Sequence, residues 1–269
     1  MSNGYSLPLS PEGRANLVPA PPWHYVGDFL VVDYWCDPAA AAAVLPEGVE
    51  PYADDPGRAA VIFADWQSCT TGQAELVDPA RSQYKEAFIV VNGMLGDEHV
   101  TTCPYIWVDR DFALMRGWIQ GFPKKLGSVW MTRSFGLGTL ADPALAPGST
   151  FGGTMAANDR RLIDATVTLT GESAGGPEHN APPLVNRRHW PQLAAGRHGE
   201  PAVHELVRAK SFDRSISTIW EGDATLAFGD APNEELAALA PVRVGKGYRF
   251  TFAYSVDDLE TIADLRGGA

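Results

Sequence analysis

Between positions 116 and 127 the chain reads Arg116-Gly117-Trp118-Ile119-Gln120-Gly121-Phe122-Pro123-Lys124-Lys125-Leu126-Gly127. Arg116 and Gln120 are four residues apart, so on a helix they share one face. Gly121 and Pro123 then reverse the chain and launch an extended segment that carries Lys124. An arginine, an amide and a lysine can thereby converge on one small volume. A guanidinium holds a carboxylate through two parallel hydrogen bonds. A lysine amine beside it can attack the carbonyl of the same keto acid. The spacing also fits a plainer arrangement, a helix C-terminus whose basic dipeptide is attracted by the helix dipole. Spacing alone leaves both open.

Attack requires a neutral amine. A free lysine, with a pKa near 10.4, is neutral in about one molecule in 2,500 at pH 7. A nucleophilic lysine therefore has to be shifted down by roughly two to three units. In an extended segment Lys124 and Lys125 point to opposite faces. Burial of Lys124 is expected to matter more than the charge of Lys125.

These groups need a scaffold, and the composition points to a β-rich one. The chain has 269 residues with 27 glycines and 21 prolines, an excess that predicts many turns and short strands. The whole chain, 1–269, is expected to form a single domain. Residues 1–28 read as an irregular arm because Pro8, Pro11, Pro19, Pro21 and Pro22 interrupt regular structure. Strands are expected at 29–34, 60–67, 86–95, 99–108, 128–135, 151–157, 162–170, 203–210, 215–220, 224–228 and 248–254 from their β-branched and aromatic content. Asp37 and Pro38 open a short alanine-rich helix that ends before Pro46. Asp109 or Asp111 caps the clearest helix, which runs to about Gln120 with Phe112, Met115 and Ile119 as its apolar stripe. Short helices are expected at 233–239 and 256–265. Residues 171–202 read as a long loop excursion. Helices are few and do not alternate with strands. The expected class is α+β, mainly β, with a large curled antiparallel sheet.

Other signals carry less. Gly171-Glu172-Ser173-Ala174-Gly175 matches a nucleophile elbow, but Gly176, Pro177, Pro182 and Pro183 follow where the elbow needs a helix. Gly136-Leu137-Gly138-Thr139-Leu140-Ala141 resembles a dinucleotide fingerprint, yet Pro143 and Pro147 bar the helix that would hold the pyrophosphate. His24, His99, His179, His189, His198 and His204 form no metal-binding spacing, so no metal and no cofactor is expected. Cys36, Cys69 and Cys103 are expected to be reduced thiols packed as small apolar groups. The net charge of −12 argues against a nucleic-acid or anionic-membrane partner. No apolar run approaches a membrane span, and Met1–Tyr5 does not resemble a signal peptide, so a cytoplasmic protein is expected.

The aromatic-Pro-Lys-Lys-Leu-Gly string resembles the acetoacetate decarboxylase-like superfamily. Gln83-Tyr84-Lys85-Glu86-Ala87 and Leu45-Pro46-Glu47-Gly48 resemble two further segments of that family. The resemblance implies a cone-like or barrel-like curled sheet with an interior site, a homo-oligomer, and a Schiff base on Lys124, with Lys125 as the neighbour that tunes its pKa. The chain departs from the decarboxylases at two places. Gly27 stands where they carry an arginine and Ala64 where they carry a glutamate, leaving Glu86 of the acidic pair, with Asp65 adjacent. The stretch from Arg116 to Gln120 is similar instead to the branch that condenses pyruvate-like keto acids with aldehydes and removes water.

The resemblance therefore implies a lyase. Arg116 and Gln120 hold the carboxylate of a small keto acid, Lys124 forms the iminium, and Glu86 moves protons. Tyr254, with Tyr248 as the alternative, assists at an aldehyde partner. The two tyrosines are six apart, so one strand would show them on the same side. A β-keto acid decarboxylase is the other enzymatic expectation, and a curled sheet that merely binds a small ligand is the third.

Overall fold

The computed structural model describes residues 2–177 and 182–266. Thirteen strands and two α-helices stand out among them. In chain order they are β1 (Trp23–Trp35), α1 (Pro38–Ala43), β2 (Glu50–Pro51), β3 (Arg58–Thr70), β4 (Gln83–Leu95), β5 (Glu98–Val108), α2 (Asp111–Ile119), β6 (Lys124–Leu126), β7 (Ser128–Met131), β8 (Thr150–Ala157), β9 (Arg160–Glu172), β10 (Val185–Trp190), β11 (Val203–Ile216), β12 (Trp220–Phe228) and β13 (Arg243–Asp264).

All thirteen strands belong to one sheet whose main path runs β6-β5-β4-β3-β1-β13-β12-β9-β8-β7. Every pairing is antiparallel except β5 with β6. The two ends of the path, β6 and β7, are joined by Gly127 alone. Gly127 N–H donates to Val108 O of β5, while Ser128 pairs with Ala156 of β8. A one-residue joint between the first and last strands forces the sheet to curl until its ends meet, although it does not close into a barrel.

Alternation along each strand splits the interior in two. Leu30, Val32 and Tyr34 of β1 join Val61 and Phe63 of β3 and Ile89 of β4 in one apolar cluster. Phe29 and Val31 join Ile62, Trp66, Tyr84, Phe250 and Phe112 on the opposite face. α2 covers part of this second face.

Several local expectations need correction. β1 begins at Trp23, inside the stretch read as an irregular arm. The prolines end at Pro22, and from Trp23 onward the backbone is free to pair with β3 and β13. β9 runs on to Glu172, and β10 occupies Val185–Trp190 within the expected loop, pairing with β11 once Pro182 and Pro183 are passed. Residues 256–264 are strand rather than helix, because cross-strand pairing with β11 overrides their local propensity. The expected helix at 233–239 contracts to a 3₁₀ turn over Leu236–Leu239. The segment 215–220 is split, since β11 ends at Ile216 and β12 begins at Trp220.

Asp37 does cap α1, its carboxylate accepting from Ala39 N and Ala40 N. α2 is preceded by Arg110 in the cap position. Asp109 is spent on β4, where its carboxylate accepts from Lys85 N. Neither Gly171-Glu172-Ser173 nor Gly136-Leu137-Gly138 leads into a helix among the described residues. The second is a turn held by Asp142, whose carboxylate accepts from the N–H groups of Phe135, Leu137 and Gly138. Among the described residues no helix is long and apolar enough to cross a membrane. His179 lies outside the described residues.

Candidate active site

α2 and β6 are joined by a Schellman turn. Gly121, at φ +86°, donates to Trp118 O, and Phe122 N–H reaches back to Gly117 O at 2.9 Å. Trp118 Nε1 donates to Lys124 O at 2.9 Å and fixes the start of β6. Parallel pairing with β5 then sets the register, Lys124 beside Ile106 and Lys125 beside Trp107. The two lysines consequently face opposite sides. Lys124 is buried within the aromatic face. Lys125 remains partly exposed, pairs with Glu234, and lies over the Trp107 ring.

A cavity of about 190 Å³ opens on the aromatic face. Lys124, Glu86, Arg116, Gln120 and Tyr254 all line it. Lys125 does not, so an expected member of the site lies outside the wall. Tyr248 shares the Tyr254 face of β13 but is packed into the core and does not line the cavity.

Lys124 Nζ stands 2.7 Å from Glu86 Oε2, both side chains 8% exposed. Glu86 Oε1 accepts from Trp66 Nε1, also at 2.7 Å. An unpaired charge at such a depth would cost several kcal/mol, so each partner depends on the other. The stem of Lys124 passes over Gly117 of α2. A Cβ on Gly117 would lie 2.3 Å from Lys124 Cδ, so only glycine leaves this path open. Tyr84 and Phe122 flank the ammonium, with ring centres at 5.4 and 5.7 Å.

Arg116 is buried and has no carboxylate partner among the described residues. Its Nη2 donates to Ser68 Oγ at 3.1 Å. Its guanidinium is otherwise surrounded by the rings of Tyr25, Tyr84 and Phe112, at 4.7, 5.3 and 5.5 Å. Cation–π attraction partly replaces the missing counter-ion. Gln120 donates to Arg116 O and presents its amide to the cavity beside Arg116. A buried cation without an anion among the described residues, next to an amide, can receive a carboxylate.

The tyrosines were harder to anticipate. Tyr25 stacks on Tyr254 with ring centres 4.9 Å apart, across the β1–β13 register that pairs the two residues. The Tyr25 hydroxyl is buried beside the Gln120 side chain and has no other hydrogen-bond partner among the described residues. Burial holds it above the ordinary phenol range against the pull of Arg116. Burial, reinforced by Glu86 and other tyrosines, holds Tyr84 and Tyr254 well above that range, so both remain protonated donors at neutral pH. The aromatic alternation at Tyr25 and Trp66 was the available signal, but in sequence it looks the same as core packing.

The departures at Gly27 and Ala64 belong to one arrangement. Gly27 faces Trp66, and a Cβ on Gly27 would lie 2.6 Å from the indole. Ala64 stands opposite Glu86 in the β3–β4 register. Trp66 therefore occupies the room a side chain at 27 would need, and its N–H takes one oxygen of Glu86. Asp65 faces away and pairs with Arg133 at 3.0 Å, so it does not stand in for a second acid.

A curled sheet with a buried lysine and a buried arginine lining one cavity defines the structural class. Within that class the chain belongs to the acetoacetate decarboxylase family, whose model matches residues 6–265. The enduracididine biosynthesis enzyme MppR is 37% identical to it. In complex with the condensation product of pyruvate and imidazole 4-carboxaldehyde, MppR superposes with a TM-score of 0.92, covering 98% of each chain. The MppR complex with pyruvate gives a TM-score of 0.91, covering 98% of this chain and 99% of that one. An acetoacetate decarboxylase-like enzyme from Sphingomonas wittichii RW1 is 29% identical, with a TM-score of 0.89 over 98% of this chain and all of the other. No curated protein matches the chain.

Proposed function

We propose that the protein is a Schiff-base lyase that condenses pyruvate with an aldehyde and removes water. The observation that carries this reading is the Lys124–Glu86 pair buried in the same cavity as Arg116, a cation with no carboxylate partner among the described residues. The pyruvate and condensation-product complexes of the 37% identical MppR support the choice of keto acid and partner.

The pyruvate carboxylate binds Arg116 and Gln120. Glu86 takes a proton from the Lys124 ammonium, and the free amine adds to C2 of pyruvate. That proton leaves with the carbinolamine hydroxyl as water, and the iminium remains. In this adduct the carboxylate sits on the iminium carbon itself, so its loss would gain no electron sink. The C3 protons are acidified instead, and Glu86 removes one to give the enamine. C3 then bonds to the aldehyde carbon while the Tyr254 hydroxyl protonates its oxygen. Glu86 returns its proton to the Tyr254 phenolate, then takes the second C3 proton and delivers it to the new hydroxyl, which leaves as water. Hydrolysis frees Lys124 and a 2-keto-3-enoate. The net reaction joins pyruvate and an aldehyde and yields one water.

The test is reductive trapping. Pyruvate with borohydride is expected to add one covalent pyruvyl group to the protein. Addition of an aromatic aldehyde is expected to produce the absorbance of a conjugated keto acid. Trapping with acetoacetate accompanied by carbon dioxide release, and none with pyruvate, would make the protein a β-keto acid decarboxylase instead. No trapping with either keto acid would make it a binder.

A further inference from the structure

The cavity wall holds a second arginine, on β11. Pairing between β11 and β13 breaks between Phe212, opposite Ser255, and Ser215, opposite Ala253. Asp213 and Arg214 therefore stand as two residues against one, and that one is Tyr254. Asp213 adopts φ +50°, an uncommon conformation for a residue with a side chain. Bulges of this kind re-aim side chains. This one turns Arg214 into the cavity wall, close enough for its charge to act on Tyr254.

Arg214 has no carboxylate partner among the described residues. Its Nε and Nη2 donate to Ser211 Oγ at 3.1 and 2.6 Å, a neutral acceptor on the same wall. Nη1 makes no hydrogen bond among the described residues. Elsewhere on the surface Arg133, Arg188 and Arg208 each hold a carboxylate. In a chain with 33 acidic residues and 21 basic ones, an arginine at a cavity rim that pairs with no carboxylate among the described residues is available to an incoming anion.

We infer that Arg214 and Ser211 form a subsite for an oxyanion at the far end of the aldehyde. The preferred second substrate is then an aldehyde with a terminal carboxylate or phosphate. This inference rests on the proposed condensation. Arg116 takes the keto-acid carboxylate deep in the cavity, Arg214 takes the tail at the rim, and the reacting carbons lie between them beside Tyr254. The condensation product would thus be held at both ends by guanidinium groups.

An internal competition tests this. The enzyme is given saturating pyruvate and an equimolar mixture of succinic semialdehyde and butanal, and the product ratio is read by mass spectrometry. A parallel mixture of glyceraldehyde 3-phosphate and glyceraldehyde separates a phosphate preference from a carboxylate one. The wild type is expected to favour at least one anionic aldehyde by about tenfold, the scale of one charge-assisted hydrogen-bonded pair. Arg214→Met is expected to bring that ratio near one, and Arg214→Lys to retain part of it. The pyruvate adduct on Lys124, measured in every variant, reports whether the central site is assembled. Ratios near one in the wild type, or a preference that survives in Arg214→Met, would overturn the subsite while leaving the condensation standing. Failure of the wild type to form the pyruvate adduct would overturn both.

Discussion

The two faces of the curled sheet are built from alternate residues of the same strands, yet they hold different chemistry. On one face Leu30, Val61, Phe63, Ile89, Met155 and Leu162 pack together, and the buried cation on that side, Arg249 over the Phe151 ring, is paired with Asp28. Lys125, the β6 lysine directed to that side, keeps its ammonium near the surface on Glu234. The other face buries Glu86, Arg116 and Lys124 among Tyr25, Trp66 and Tyr84. Aliphatic side chains offer a charge nothing but dispersion. Indole and phenol rings offer N–H and O–H donors and an electron-rich surface, so they can line a cavity that contains ions. The contrast teaches that the site depends on which residues carry the aromatic rings as much as on the lysine itself.

The sharpest way to break the comparison is to remove each lysine in turn. Lys124→Met is expected to abolish the pyruvate adduct and to destabilise the protein by about 3 kcal/mol in urea unfolding, because Glu86 loses its buried partner. Lys125→Met is expected to retain the adduct and to change stability less, by about 1 kcal/mol, since its ammonium is half exposed and the buried Glu234 carboxylate still accepts from Trp107 Nε1. Equal loss of the adduct in both variants would contradict the division between the faces.

A smaller effect is expected from Gly117→Ala. The added methyl occupies the path of the Lys124 stem, so adduct formation should slow by about tenfold, on the order of 1.4 kcal/mol of activation free energy. The unfolding free energy should move by less than about 1 kcal/mol, because alanine's better helix propensity offsets part of the strain. A variant that is both fast and stable would show that the stem has another route.

The smallest effect concerns pH. Tyr25, Tyr84 and Tyr254 have their phenol pKa raised in the fold. Such a group contributes stability that is intact below the unfolded pKa of about 10 and is lost as pH rises through the folded value. The urea midpoint should accordingly fall above pH 10, and Tyr254→Phe should make that fall shallower. A midpoint independent of pH between 9.5 and about 11 would count against buried phenols.

Much of this was legible in the sequence where local rules govern. The Asp37 cap, the Gly121 turn, and the sharing of one helix face by Arg116 and Gln120 depend on neighbours within a few residues, and all appear in the fold. So does the opposition of Lys124 and Lys125, which follows from strand alternation alone. Other features escaped because they depend on distant partners. Residues 256–264 became strand through β11. Asp109 left its helix for β4. Asp65 turned out to belong to Arg133 and not to the site. The partnership of Gly27 with Trp66 joins residues on different strands, and neither residue signals it locally. The bulge that places Arg214 opposite Tyr254 left no mark in the pattern either, since its residues look like an ordinary polar strand end.

One feature of the topology bears on how the molecule reaches activity. β1 and β13 pair in the middle of the sheet, and their Tyr25–Tyr254 stack forms part of the cavity wall. A nascent chain that has emerged only as far as β12 already carries the amine, the acid and the guanidinium, but the enclosure around them is incomplete. The wall around Lys124 is complete only when β13 docks between β1 and β12. Synthesis of that strand thus acts as the final assembly step, and pairings so far apart along the chain are the slow ones to form. Damage to β1 or β13, far apart along the chain, should consequently be felt together at the cavity they share.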